Sequence, residues 1–428
     1  MKILLVKKTS GVGGVQIFMS SLASFYQSQG HHCELFFFSH GRTEEFFPSN
    51  VTAHFGDLED CLRLIKAKRF DVVHANDGDW KIGISATRNF GAKLILTAHG
   101  CVKPGRWTYG WTSANCDAYV ACSTGVRNEL KDFTDVPIRT VLNGVDVNVF
   151  KPTEKPATAL QPICGWVGRG IDVEYKRLDK LAVIAPMLYR AGIRLWLIEP
   201  NGPDEVAKVI PEAVSALLPI VEFWGGVPVD QMPEMYQAIA ASGGGVISTS
   251  SSEGLPLALL EAQACGCTVI GPDVAGVNEC VNPEHGGVLY PSEMEAEQLA
   301  SLVIATLSDK EKMAWRGKQG SQYVRARFSL EKMAREYLSI YNEAPYPVRG
   351  GFLTRLSARL RLSPLFHWKA YVDQRWPIGR LQYELSQKFV KKGESELAAG
   401  AARASLTTSP TIYVKPGRAA HFLRTQLR

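Results

Sequence analysis

Along the first 150 residues, short apolar runs alternate with stretches whose apolar positions recur every three to four residues. The runs "KILLV", "CELFFFS", "DVVHAN", "KLILTAHG" and "AYVACS" carry little charge, while "GGVQIFMSSLASFYQSQG" and "LEDCLRLIKAKR" have the spacing of amphipathic helices. Gly30 stops the first of these helices. Strands buried on both faces lose the in–out alternation of a half-exposed strand, so this pattern predicts a parallel sheet covered by helices on both sides.

The pattern fails over residues 149–162, "VFKPTEKPATALQP", which hold three prolines and no apolar periodicity. Proline fixes φ and lacks an N–H, so this stretch reads as a linker, assigned to 151–162. Alternation resumes in "ICGWVG", "RLWLIEP", "IVEFWGG", "GGGVIST", "CTVIGP" and "GGVLY", and closes on the helix "LEKMAREYLSIYNEA" near Ala344. The expected fold is α/β, with Rossmann-like doubly wound domains at 1–150 and 163–330 facing a cleft. Ligands belong at the C-terminal ends of the strands of both domains. One continuous α/β domain is the alternative, and the proline-rich break argues against it.

A length of 428 residues agrees with more than one domain, and 46% apolar with 21% charged residues describes a soluble globular chain. No apolar run approaches the roughly 18 residues needed to cross a bilayer. The start "MKILLVKKTSG" reads as a buried first strand rather than a signal peptide. Nine cysteines, scattered and mostly within apolar runs, point to a reducing, cytoplasmic setting. Cys265 and Cys267 have no second Cys/His pair at ligand spacing, so they read as packing residues rather than as a metal site.

Charge changes the picture more. Residues 346–428 hold 15 Lys and Arg against 4 Asp and Glu, a net of +11, whereas the other 345 residues hold 33 against 38, a net of −5. The overall +6 is therefore a property of the tail. A mildly acidic body argues against nucleic acid as a partner and gives the basic extension a partner of its own.

Three stretches carry candidate chemistry. In "TSGVGGVQ", residues 9–16, Gly13 and Gly14 let the backbone turn and bring amide N–H groups at a helix start against an anion. A dinucleotide fingerprint fails here, because Gln16 stands where the third glycine belongs and the second strand ends without an acidic residue. No Gly-Lys-Ser/Thr follows, which excludes a P-loop. The turn alone is equally a phosphate contact or mere turn geometry. In "GWVGRGIDVEYKRLDKL", residues 165–181, Arg169 and Lys176 follow the first strand of the second domain, placed to converge on a diphosphate or else to stand as solvated surface cations. In "SSEGLPLALLEAQACGC", residues 251–267, Glu253 falls in a loop after a strand. Pro256 falls in the first turn of a helix that runs to Gly266 and carries Glu261. A carboxylate at the depth of Glu261 could hold vicinal hydroxyls such as those of a ribose, or could cap a neighbouring amide in the core.

Together with "DVVHAN", "TAHG", "NGVDVNVFKP", "FWGGVPVDQMPEMYQ" and "EGLPLALLEAQACGCTVIGPDVAGVNE", these stretches resemble the retaining glycosyltransferases of GT-B fold, glycosyltransferase family 4 (glycosyl transferases group 1), over about residues 1–345. The resemblance implies transfer of a sugar from a nucleotide diphosphate sugar to a saccharide or glycolipid hydroxyl, with retained anomeric configuration by a same-side mechanism. It also implies no metal or other cofactor. Glu253 would contact the transferred sugar, with Gly254 and Leu255 in the same loop, and Glu261 the nucleotide ribose. Arg169 and Lys176 would hold the diphosphate, Gly13 and Gly14 would grip it from the other domain, His99 would contact the donor sugar and Val227 would frame the base. The helix at 331–345 would cross back onto the first domain. Two departures touch the diphosphate: Arg169 to Lys176 is a long interval, and Arg177 replaces the usual glycine. Gln16 also stands where many members have Glu.

Asp77, Asp79 and Trp80, with Lys103, Arg106 and Trp107, lie in first-domain loops expected to face the acceptor, or else pack as ordinary loop residues. In the basic C-terminal extension, 346–428, "GFLTRLSARLRLSPLFHWKAYVDQRW" suits a helix on an anionic membrane surface, which would fit a lipid-linked acceptor and a peripheral position on the inner face of the membrane. "IGRLQYELSQKFVKK" has helical spacing through Leu381, Leu385 and Phe389, and the extension could equally pack against the first domain. Two other activities remain open on these residues. One is a phosphorylase or epimerase of the same fold, the former having no need of Glu261; the other is a silent sugar-binding or assembly protein, which would not need Arg169 and Lys176.

Overall fold

The computed structural model describes residues 1–11, 13–40, 50–77, 92–100, 116–131, 137–153, 161–343 and 376–408. Asp79, Trp80, Lys103, Arg106, Trp107 and most of the linker and basic extension lie outside them. The first domain opens with β1 (Lys2–Thr9), α1 (Gly14–Ser28), β2 (His32–Ser39) and β3 (Thr52–Phe55). It continues through α2 (Leu58–Lys68), β4 (Val72–Asn76), β5 (Lys93–Ala98), β6 (Ala118–Ala121), α3 (Thr124–Leu130) and β7 (Ile138–Thr140). Its strands order as β3-β2-β1-β4-β5-β6-β7 and every pairing is parallel.

The second domain repeats this order. Its strands β8 (Ile163–Val167), β9 (Arg194–Ile198), β10 (Val221–Trp224), β11 (Gly245–Ile247), β12 (Thr268–Pro272) and β13 (Val288–Tyr290) run β10-β9-β8-β11-β12-β13, again parallel. The helices that matter below are α4 (Val173–Lys176), α5 (Leu178–Arg190), α6 (Met232–Ala241), α7 (Leu257–Ala264), α8 (Val277–Cys280), α9 (Lys310–Arg327) and α10 (Leu330–Asn342). Each sheet reverses its winding beside its first strand, between β1 and β4 and between β8 and β11, which is where such sheets open a crevice for ligands.

The expectation of two doubly wound α/β domains holds. The short edge strands β3 and β7 were not anticipated, because "TAHF" and "IRT" are half-exposed and carry no apolar run. Pro256 precedes α7 rather than opening it, with ψ 111° in the extended region.

Among the described residues, three apolar clusters hold the molecule. The largest crosses from the first sheet, through Phe18, Leu22 and Tyr26 of α1, into the second domain by Leu255, Leu257 and Leu260 and into α10 by Met333, Tyr337 and Tyr341. The stretch "NGVD" joins the same region. Asn143 Nδ2 donates to the Leu255 carbonyl at 3.0 Å, and Val145 exchanges main-chain bonds with Phe328 and Leu330. α10 lies on the first domain, where Tyr26 Oη donates to the Ala334 carbonyl at 3.0 Å.

The third cluster settles where part of the basic extension goes. Helices α11 (Trp376–Lys391) and α12 (Ser395–Thr408) cover the outer face of the first sheet, and Leu385, Phe389, Leu397 and Ala398 pack on Leu4, Val6, Phe36 and Leu62. Lys388 and Lys392 reach Glu59 at 3.2 and 2.9 Å, and Glu394 pairs with Arg63 at 3.2 Å. These helices therefore spend their apolar stripe and part of their charge on this protein, not on a membrane. Among the described residues, no helix is long and apolar enough to cross a membrane.

Candidate active site in the interdomain cleft

The first-domain wall is built from strand ends that face one another. Asn76, at the end of β4, points Nδ2 at the carbonyls of Val6 and His74, at 3.4 and 3.3 Å. Its Oδ1 must then accept, and it meets His99 Nε2 at 2.8 Å, which puts the imidazole proton on Nε2. Burial pushes His99 down to about 4, so the ring is neutral at ordinary pH. Phe18 packs against it with centroids 4.6 Å apart. Beneath it, His74 is wholly buried between Tyr341 Oη and Thr97 Oγ1, both at 2.7 Å, and burial pushes it down to about 3.

Asp77 takes the left-handed conformation, with φ 56°, at the turn after β4. Its Oδ1 accepts the His99 main-chain N–H at 2.9 Å and its Oδ2 pairs with Lys7 Nζ at 2.6 Å. Burial alone would raise this carboxyl, but the Lys7 ammonium and the two hydrogen bonds hold it below the usual range. Asp77 thus anchors the His99 backbone rather than pointing unpaired toward an acceptor.

The second-domain wall carries charge. Arg169, after β8, pairs with Asp172 at 2.6 Å, and its side chain stays 46% exposed. Lys176 ends the one-turn helix α4 and pairs with Glu253 Oε1 at 2.6 Å, an oxygen that also accepts from Ser250 Oγ at 2.7 Å. Two bonds to main-chain carbonyls fix the turn, from Thr249 Oγ1 to Lys176 at 2.8 Å and from Ser251 N to Tyr175 at 2.8 Å. Arg177 follows in the left-handed region, at φ 51° and ψ 49°, which explains why glycine suits this position. Sequence reasoning had not singled out Asp172 or Ser250, although both lie within three residues of a predicted site residue.

Glu261 sits on α7, 5% exposed, with Oε2 accepting from Tyr236 Oη of α6 at 3.1 Å. Burial raises this carboxyl to about 7, and the Tyr236 bond offsets only part of the rise. Val227 lies in the turn between β10 and α6, half-buried against the large core.

The two walls touch. A Cβ on Gly254 would lie 1.8 Å from the His99 carbonyl oxygen, so only glycine permits this approach between domains. Leu255 is buried just beyond it. A Cβ on Gly13 would lie 3.7 Å from Arg169 Nη1, which places the guanidinium over the glycine turn. Gly13 is the N-cap of α1 and supplies no side-chain cap, so the first turn of that helix presents main-chain amides on the Arg169 side. Gly14 is exposed there. Glu279, at the foot of α8, bonds the Thr124 and Gly125 amides of α3 at 2.7 and 2.6 Å, a further tie between the domains. The structure therefore brings Gly13, Arg169, Lys176, Glu253, Gly254 and His99 to one cleft. Among the described residues, no group of three or more His, Cys, Asp or Glu is arranged to hold a metal.

Residues 12–149 match the family model Glycosyltransferase Family 4, and residues 161–309 match Glycosyl transferases group 1. The chain is 28% identical over 353 residues to D-inositol 3-phosphate glycosyltransferase of Segniliparus rotundus, spanning 74% of this chain and 75% of the relative. It is 24% identical over 327 residues to Alpha-maltose-1-phosphate synthase of Mycolicibacterium smegmatis, spanning 66% and 82%. Its fold is similar to that of sucrose-phosphate synthase from Thermosynechococcus elongatus, with a TM-score of 0.66 and 20% identity over 79% of this chain and 98% of that one. It is also similar to Anabaena Alr3699/HepE in complex with UDP and glucose, with a TM-score of 0.67 and 17% identity over 80% and 100%. With both domains matched in order and both walls of the cleft in place, the chain belongs to glycosyltransferase family 4 and is a glycosyltransferase of GT-B fold.

Proposed function

We propose that this glycosyltransferase moves a sugar from a nucleotide diphosphate sugar to a saccharide or glycolipid hydroxyl, with retention of anomeric configuration, in the making of a cell-surface polysaccharide or glycolipid. The observation that carries the reading is Arg169 set against the glycine turn at the start of α1, on the same loop region whose Lys176 lies against Gly168 and pairs with Glu253. Two cations and a row of amides suit a diphosphate whose charge grows as the glycosyl bond breaks. They would meet that charge without a metal ion. HepE was solved with UDP and glucose in a fold similar to this one, which supports a donor of the same class here.

In this reading Lys176 and Glu253 hold each other until the donor enters. The ammonium then turns to the diphosphate and the carboxylate to the sugar. Glu261, buried and holding a single hydrogen bond from Tyr236 among the described residues, gains ribose hydroxyls as donors, which lowers the cost of its burial. The neutral His99 and its fixed main chain line the sugar pocket. The acceptor hydroxyl arrives from the first-domain side. The basic residues of 346–375 would hold the enzyme to an anionic inner membrane surface when that acceptor is a lipid.

The experiment is calorimetric titration of wild type and Glu253→Ala with a panel of nucleotide sugars, in the presence of EDTA. The expected result is micromolar to millimolar binding of one donor and transfer that EDTA leaves intact, with the product anomer matching the donor by NMR. Binding of none of the panel would end the donor assignment. An inverted product would end retention alone.

A further inference from the structure

Beyond the residues that face the cleft, one carboxylate among the described residues is completely buried with no cation paired to it. Glu199 follows β9 directly and has no exposed surface. A charge so buried is tolerated only when its oxygens are fully hydrogen-bonded or paired. No cation lies against it among the described residues; four N–H groups do. Oε1 accepts from Gly170 N at 3.1 Å and from Asn201 Nδ2 at 2.6 Å, and Oε2 from Asn201 N at 2.7 Å and Gly202 N at 2.8 Å.

One of these donors matters for chemistry. Gly170 is the residue after Arg169, and the residue before it, Gly168, donates its N–H to the Ile198 carbonyl at 3.2 Å. Arg169 is thus held on both sides by consecutive residues of the β9 end. Packing closes the remaining freedom, since a Cβ on Gly170 would meet Leu178 and Val206 side chains at 2.9 Å. The Arg169 side chain itself is long, exposed and, among the described residues, tied only to Asp172, so the direction of its main chain decides where the guanidinium points.

Resting on the diphosphate role of Arg169 above, we propose that Glu199 is a positioning residue, which clamps the loop after β8 and thereby aims Arg169 at the donor diphosphate across from Gly13. Its four acceptor sites are filled by the protein, so Glu199 does not touch substrate. An amide in its place would turn an NH2 toward two N–H donors. The isosteric Glu199→Gln therefore breaks the clamp at nearly unchanged volume.

The test is a double-mutant cycle on the full chain, with turnover of the donor identified by calorimetry as the readout. Glu199→Gln is expected to lower kcat by about 10- to 100-fold with donor KM changed by less than about threefold. In an Arg169→Ala background the same change should cost less than about twofold, because the clamp then has nothing to aim. Equal losses in both backgrounds would make Glu199 a general structural residue and overturn the proposal. Should Glu199→Gln fail to fold, Asn201→Ala removes the side-chain donor and nothing else of the clamp, and should show the same dependence on Arg169 at a smaller amplitude. Amide exchange of Gly170 stands apart from donor chemistry. It should be strongly protected in wild type and faster in Asn201→Ala, and free exchange in wild type would refute the clamp whatever the donor proves to be.

Discussion

The two sheets share one strand order, yet their ligand-facing ends are built in opposite ways. At the first-domain end the polar groups satisfy one another: His74 with Thr97 and Tyr341, Asn76 with His99, and Asp77 with Lys7. Both imidazoles are neutral, so this wall offers shape and directed hydrogen bonds. At the second-domain end, Arg169 and Lys176 are held, among the described residues, by Asp172 and Glu253, in contacts that a stronger anion can displace. The same topology thus serves as a rigid wall on one side and an electrostatic grip on the other. Catalysis by charge stabilisation should depend on the second, and stability in acid on the first.

The sharpest way to break this contrast is to remove the grip. Arg169→Ala should lower kcat by about 10²–10³ in a donor turnover assay, while leaving the unfolding midpoint within a degree or two, since its ion pair is half-exposed and solvent-screened. A comparable loss from a conservative change in the first wall, such as Asn76→Ser, would mean that both walls carry charge stabilisation.

Acid should loosen the first wall. His74 titrates near 3 when folded and near 6.5 when unfolded, so the unfolded chain binds more protons as pH falls below 6.5. The stability due to neutral His74 is complete above pH 6.5 and is lost by roughly 3 kcal/mol at pH 4. Urea unfolding should therefore show that His74→Gln destabilises strongly at pH 7.5 and hardly at all at pH 4. A penalty independent of pH would mean that His74 is not kept neutral by its burial.

Glu261 should behave in the opposite sense. Its folded value is about 7 against 4.5 for the unfolded chain, so the folded state holds the proton more tightly and stability declines as pH rises from 4.5 toward 7. Glu261→Gln removes the buried charge at constant volume and should raise stability by about 1–3 kcal/mol at pH 8, a gain that vanishes below pH 4.5. The same variant should weaken donor binding about tenfold by loss of a charged acceptor for hydroxyls. A stabilised variant with full donor affinity would remove Glu261 from the site.

Much of this was legible beforehand, and for a physical reason. Five of the six strands of the second domain and five of the first are buried along most of their length, so each announces itself as an apolar run. Glu253, Arg169 and Lys176 stood out as charges just past such runs. What stayed hidden was pairing. Nothing in the spacing of Glu199 and Gly170 says that a carboxylate at one strand end will hold an amide at another, since 29 residues separate them. The seat of Phe389 on Phe36 and Leu62 was equally unreadable, because an amphipathic stripe records that a face is apolar and not what covers it.

Backbone strain offers the smallest effect and the finest comparison. Each wall holds a non-glycine residue in the left-handed region, Asp77 with φ 56° and Arg177 with φ 51°. Asp tolerates that region better than Arg, and the side chains do different work. Asp77 accepts from Lys7 and from the His99 main chain, whereas Arg177 pairs with Asp179 at the surface, at 2.8 Å with both side chains 42% exposed. Glycine removes strain at both sites and adds unfolded-chain entropy at both. The balance then turns on the lost side chain. Asp77→Gly should cost about 1–3 kcal/mol because Lys7 and a main-chain amide lose their acceptor, while Arg177→Gly should stay within about 1 kcal/mol of wild type. Thermal unfolding of the two variants side by side decides it. Equal effects would mean that the conformation alone sets the price of both positions, and that the first wall is no more tightly cross-bonded than the second.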